Sequence, residues 1–240
     1  MPCFLARVPS EADAAIEDVA RAVGAPLLRI GRDFDLDADL PAPALAGGHQ
    51  RSNAAIAVAL AQEVARRQGR ALPGEAIAAG LAGVRWPARL ERVAAPDGEV
   101  LLDCAHNPEG ADVLAAALPG IIGARRAALV ISVVAGKDLG GVLRPLLPLF
   151  PEVVATRSRN PRALPPGELA AAIEAFAHAS NTLAPRTHAV GDSREALVEA
   201  RRRAGNSGLV VVAGSIFLAA EARAALLGER VDPQPVSDPL

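Results

Sequence analysis

From residue 90 onward the sequence predicts an α/β domain built on a doubly wound sheet, and two observations carry that prediction. Strand-length apolar runs alternate with helix-length segments: strands near 90–93, 99–103, 127–134, 152–156, 187–190 and 208–213, helices near 108–118, 138–147, 166–179, 193–204 and 216–227. The runs at 127–134 and 209–213 also lack polar alternation apart from Ser132, the pattern of parallel strands covered by helices on both faces.

The segment before this has a different pattern. Residues 3–8 read as a short strand, Ser10 with Asp13 three positions on resembles a helix start, and 11–23 is helix-like up to Gly24. Structure beginning so close to Met1 is expected of a truncated reading frame. Residues 32–48, rich in Asp, Pro, Ala and Gly, read as a loop, and alanine-rich helices follow at about 50–68 and 74–82. The string Gly83-Val84-Arg85-Trp86-Pro87 breaks the helical pattern, which divides the chain into 1–85 and 86–240, and the proline-containing stretch 231–240 is expected to fray.

Composition narrows the function classes. A net charge of −2 gives no basic face to displace counterions from nucleic acid, and with aromatics at 2% there is no stacking platform for bases. The arginines at 66–67 and 201–203 read as solvated helix faces. Cys3 and Cys104 cannot form a disulfide framework, and no secretory segment leads the chain, so a cytoplasmic setting is expected. The apolar run 209–220 is broken by Gly214 and Ser215 and is too short to span a membrane.

Open α/β sheets bind ligands at the carboxyl ends of their strands, so the residues just after each strand are the candidates for chemistry. They are Asp103-Cys104-Ala105-His106-Asn107-Pro108, Gly136-Lys137-Asp138, Thr156-Arg157-Ser158-Arg159, Gly191-Asp192 and Gly214-Ser215. In the first string Asn107 can cap the next helix and Pro108 suits its first turn, which leaves His106 before the positive end of the helix dipole; Asp103 suits ribose hydroxyls. The alternative is a capping turn with an incidental histidine and a buried cysteine. Ser215 and Lys137 can hold a carboxylate between them, or be respectively an ordinary helix cap and a solvated lysine. No zinc spacing, dinucleotide fingerprint or nucleophile elbow occurs.

Three strings in order make the pattern specific: Gly48-His49-Gln50-Arg51-Ser52-Asn53-Ala54-Ala55, Trp86-Pro87-Ala88-Arg89-Leu90-Glu91 and Asp103-Cys104-Ala105-His106-Asn107-Pro108. Together they resemble the folylpolyglutamate synthase/dihydrofolate synthase group of the Mur ligase superfamily. Similarity at Gly136-Lys137-Asp138, Arg162 and Val212–Phe217 extends the resemblance over essentially the whole chain. It implies that 1–85 is the C-terminal part of a central ATP-binding domain and 86–240 a Rossmann-like glutamate ligase domain. The implied reaction phosphorylates a folate or dihydropteroate carboxylate with ATP, after which the amine of L-glutamate attacks the acyl phosphate. By the same resemblance Asn53 contacts adenine, Arg89 phosphate, Asp103 ribose, and His106 lies near the phosphates and the reaction centre. Lys137 and Ser215 look like the pair that holds the incoming amino acid's carboxylate, and Arg89 is expected to move onto phosphate when the domains close.

Two departures accompany the resemblance. Ala88 stands where the family usually carries glycine, the residue that best tolerates positive φ. The only lysine, Lys137, is followed by Asp138, so the chain contains no G-x-x-x-x-G-K-[ST] phosphate loop, and the residues holding Mg²⁺ are expected in a missing N-terminal region. The chain alone is therefore expected to be inactive, and the full-length protein to be a monomer. A Mur-type ligase with another carboxylate substrate, or a non-catalytic nucleotide- or amino-acid-binding module, are the alternatives.

Overall fold

The computed structural model describes residues 1–35, 41–96, 98–180 and 182–230, and the chain forms two compact units, Met1–Trp86 and Pro87–Leu240. The predicted frayed tail at 231–240, and part of the predicted loop at 32–48, lie outside the described residues.

The first unit contains β1 (Cys3–Leu5), α1 (Ser10–Ala22), β2 (Leu27–Arg29), α2 (His49–Arg67) and α3 (Gly74–Gly83). β2 has no counterpart in the sequence pattern, because three residues are too few to show a periodicity; it pairs in parallel with β1, Phe4 opposite Leu28. Ser10 does not cap α1 but is its first helical residue. Asp13 instead reaches Arg29 Nε at 3.0 Å, so this acidic residue ties α1 to β2. The unit's buried cluster is small, consisting of Ala54, Ala55, Val58 and Leu81, and Val19, Val23, Leu60 and Val64 are exposed.

The second unit contains β3 (Glu91–Ala95), β4 (Gly98–Leu102), α4 (Pro108–Ile122), β5 (Ala127–Ile131), α5 (Leu139–Leu146), β6 (Glu152–Ala155), α6 (Pro166–Ala179), β7 (Arg186–Ala189), α7 (Ser193–Ala204), β8 (Gly208–Ala213) and α8 (Ile216–Leu227). Its sheet has the order β3-β4-β8-β5-β6-β7. β4, β8, β5, β6 and β7 are parallel, while β3 turns back antiparallel on β4, with Val93 opposite Val100. The sheet is thus mixed: only two residues of sequence separate β3 from β4, too few for the crossover that a parallel pair requires.

The two-residue period of the strands divides the core. Leu209, Val211 and Ala213 face the cluster formed with Leu114 and Leu118 of α4, Leu143 and Leu146 of α5, and Leu169 and Ile173 of α6. Val210 and Val212 face Ala196 and Ala200 of α7 and Leu218 and Ala222 of α8. Helices therefore cover both faces, which accounts for the unbroken apolar runs read from the sequence. Among the described residues no helix is long and apolar enough to cross a membrane.

The arginine runs pair on the helix surface. Arg66 and Arg67 bond Glu63, and Arg202 and Arg203 bond Glu199. The hydrogen bonds from Arg202 and then Arg203 hold the Glu199 carboxyl at about 2, below its ordinary 4.5. A depressed folded-state value contributes stability that is fully present above the ordinary value and is lost as pH falls through the folded one. Denaturant unfolding measured from pH 5 down to 2 is expected to show this loss, and Glu199→Gln to remove part of it, about 1 kcal/mol or less for a pair this close to the surface.

Candidate functional site

Because β4, β8, β5 and β6 are parallel, their carboxyl ends share one edge of the sheet, and there the chain forms a cavity of about 250 Å³. Its lining comes from the segments that leave the strands: His106 after β4, Val134 and Lys137 after β5, Asn160 and Arg162 after β6, and Gly214 to Phe217 after β8. Three of the sequence-predicted residues, His106, Lys137 and Ser215, are thus brought together although they span more than a hundred positions of sequence.

Each is held by local geometry. Asn107 caps α4, its Oδ1 accepting from Gly110 N at 2.9 Å, and Pro108 occupies the first turn as expected. His106 Nδ1 lies 2.9 Å from the carbonyl oxygen of Cys104. A carbonyl only accepts, so Nδ1 carries the proton and Nε2 of the neutral ring keeps its lone pair. The Cys104 thiol is pushed above its ordinary value by burial, with the charge of Arg89 opposing, so it stays protonated and packs as an apolar group.

Ser215 is buried and caps α8, Oγ accepting from Leu218 N at 3.4 Å, so its capping role and its place in the cavity coexist. Lys137 is exposed. Its loop is tied to the one carrying Arg162: Ala135 N donates to Arg162 O at 2.8 Å and Leu164 N to Val133 O at 2.9 Å. Arg162 Nη2 reaches Ala135 O at 3.3 Å. Two side-chain cations therefore line one small cavity that also holds a hydroxyl and an amide.

Asp103 and Arg89 occupy a different feature. Asp103 is buried at the end of β4, its Oδ2 accepting from Leu90 N at 3.0 Å and its Oδ1 from Ala105 N at 2.8 Å. Both oxygens thus already hold backbone amides, a task the sequence did not reveal. Ala88 and Leu90, on either side of exposed Arg89, have φ of 53° and 49°. The position where glycine was anticipated is left-handed even with alanine in it, and its neighbour is too, at a cost of roughly 1–2 kcal/mol for each such residue. In the first unit, Asn53 is exposed on α2 and donates to Gln50 Oε1 at 3.0 Å. It borders a cavity of about 350 Å³ walled by Ala54, Val58, Ile77 and Leu81.

Other sequence candidates do not line the cavity. Asp192 caps α7, and after β6 Thr156 and Ser158 are buried while Arg159 N donates to Glu221 Oε1 at 2.7 Å. Asn160 stands one residue beyond the string that the sequence pattern singles out after β6, and Arg162 is marked in the sequence only by similarity; the Asn160-Pro161 turn was the available signal for both. Among the described residues no group of three His, Cys, Asp or Glu side chains stands close enough to hold a metal ion.

Comparison with known proteins bears on this edge of the sheet. Residues 88–216 match the family described as Mur ligase, glutamate ligase domain. The chain belongs to the Mur ligase family. The dihydrofolate synthase/folylpolyglutamate synthase of Mycobacterium tuberculosis is 40% identical over 148 residues, covering 60% of this chain and 29% of that protein. The folylpolyglutamate synthase of Lacticaseibacillus casei is 27% identical over an alignment of 251 residues, covering 95% of this chain and 54% of that protein. A structure of Mycobacterium tuberculosis folylpolyglutamate synthase complexed with ADP superimposes with a TM-score of 0.78 at 30% identity, covering 96% of this chain and 55% of that one. The chain spans about half, or less, of the length of the relatives it matches.

Gly214 fixes where Ser215 begins α8. Its φ is 90°, its N–H donates to Ala105 O at 2.7 Å, and an added Cβ would lie 2.6 Å from Ser132 O and 2.8 Å from Ile131 Cγ1. Gly214→Ala is expected to lower stability by about 2 kcal/mol or more, from positive φ and overpacking together. Urea midpoints would check this, a shift within error contradicting it.

Proposed function

We propose that the second unit binds L-glutamate in the cavity at its carboxyl edge and presents it for ATP-dependent amide formation with a folate or dihydropteroate carboxylate. The observation that carries this reading is the convergence of Lys137, Arg162 and Ser215 on one cavity in the segment matched to a glutamate ligase domain. An amino acid with two carboxylates suits a cavity with two cations, and the Ser215 hydroxyl at the start of α8 adds a donor where the helix dipole also favours negative charge. Membership of the Mur ligase family, and relatives named for folylpolyglutamate synthesis, support the same reading.

In this reading the glutamate amine attacks the carbonyl of an acyl phosphate and phosphate departs. His106 Nε2, with its lone pair, accepts a hydrogen from the incoming amine, while its Nδ1–H stays on Cys104 O. Arg89, exposed and making no hydrogen bond or ion pair among the described residues, faces phosphate and offsets the charge that develops on it. Asn53 borders an apolar cavity of a kind that suits adenine. Asp103 fits the ribose role less well, since its oxygens already hold Leu90 and Ala105 N–H.

The first unit is read as the C-terminal part of the ATP-binding domain. The chain has no phosphate loop of its own, and its described residues do not fit Mg²⁺, so no step is assigned through the metal here. Turnover is expected when residues 1–240 replace the matching half of the Mycobacterium tuberculosis enzyme, as glutamate-dependent ADP release in the presence of a reduced folate. Within that chimera Lys137→Ala is expected to raise KM for glutamate about tenfold or more, the loss of one charge-assisted carboxylate contact, with a smaller effect on kcat. An unchanged KM for glutamate would remove Lys137 from the glutamate site. Saturable glutamate binding to the chain by calorimetry, lost in the same variant, is the matching result without turnover.

A further inference from the structure

Arg89 is the cation that the proposed reaction aims at phosphate, yet no hydrogen bond or ion pair among the described residues holds its side chain; what is held is the backbone on both sides of it. On one side Ala88 N donates to Glu91 Oε2 at 2.7 Å. On the other Leu90 N donates to Asp103 Oδ2 at 3.0 Å. Glu91 is itself fixed by Arg223 of α8, whose Nε lies 3.0 Å from Oε1 and 3.1 Å from Oε2. The carbonyl of Ala88 is taken by Cys104 N at 2.9 Å.

The turn that these groups hold has left-handed φ at two non-glycine residues, a conformation that persists only when its surroundings over-determine it. Ala88 and Leu90 are buried while Arg89 between them is exposed, so the turn anchors its flanks and projects one guanidinium. A hydrogen-bond acceptor at 91 is chemically required for this. It must accept from the Ala88 amide and from Arg223 at once, which a cationic or apolar side chain cannot do.

We propose that Glu91 and Arg223 are positioning residues: the Arg223–Glu91 pair holds the Ala88 amide and thereby presents Arg89, in advance, to a polyphosphate chain. The proposal rests on the reading of Arg89 as a phosphate ligand. Its consequence is that α8, which opens at the glutamate-side cavity with Ser215, also carries the residue that steadies the phosphate-facing arginine.

The test is a titration of the 240-residue chain with tripolyphosphate, read by NMR at the Arg89 Nε–H and at the Ala88 and Leu90 amides. The unaltered chain is expected to show saturable shifts at all three, and Arg89→Ala to lose binding. Glu91→Ala is expected to weaken binding about tenfold and to abolish the left-handed coupling constants of residues 88 and 90, whereas Glu91→Gln, which keeps an acceptor for the amide, stays within about threefold. Arg223→Lys, a milder change, is expected to fall between them. The exchange Glu91→Arg with Arg223→Glu separates positioning from mere stability: it restores the ion pair and the melting temperature, but not the affinity, because arginine at 91 accepts nothing from Ala88.

Wild-type affinity in Glu91→Ala, or affinity restored by the exchange, would overturn the positioning role and leave the phosphate role of Arg89 intact. No response at Arg89 in the unaltered chain would instead overturn the phosphate reading, and the proposal with it.

Discussion

All six residues of β8 are buried, and the strand is hydrogen-bonded on both sides, to β4 and to β5. This constraint sets the rest of the second unit. A strand in the middle of a sheet with helices on both faces admits only apolar side chains, so chemistry is pushed to its ends. Since β4, β5 and β6 run in the same direction, their carboxyl ends arrive at the same edge, and residues far apart in sequence meet there. The alternating faces of β8 divide the core between α4, α5 and α6 on one side and α7 and α8 on the other.

The edge built in this way has two parts with different physics. Around the cavity the functional groups hang on helix starts and short loops: Ser215 caps α8, Asn107 caps α4 beside His106, and the Lys137 and Arg162 loops are bonded to each other. Around Arg89 the means is strain, a turn with two left-handed non-glycine residues held by the carboxylates of Glu91 and Asp103. Caps orient groups at little conformational cost, whereas a strained turn holds one geometry only while its partners remain. The two parts share α8, through Ser215 at its start and Arg223 further along.

The first unit contrasts with this. Its sheet, among the described residues, has two strands, and its buried cluster consists of a few aliphatic residues of α2 and α3. A core of this size contributes little burial per residue, and exposed Val19, Val23, Leu60 and Val64 leave apolar surface in solvent.

The sequence by itself determined the α/β class, the positions of the long strands and helices, and the three strings that place the chain in its family. These are carried by local signals: unbroken apolar runs, Asn107-Pro108 at a helix start, and turn residues between elements. His106, Lys137 and Ser215 were legible for the same reason, because the residues just beyond a parallel strand lie at the carboxyl edge whatever the strand order. Only the tertiary structure decided that β8 inserts between β4 and β5, that β3 runs antiparallel, and that Asn160 and Arg162 join the cavity. It also decided that Asp103 spends its oxygens on the amides of Leu90 and Ala105, and that Glu91 meets an arginine 132 positions away. Hydrogen bonds of that kind depend on distance in space, and neither a periodicity nor a motif encodes distance between segments so far apart in the chain.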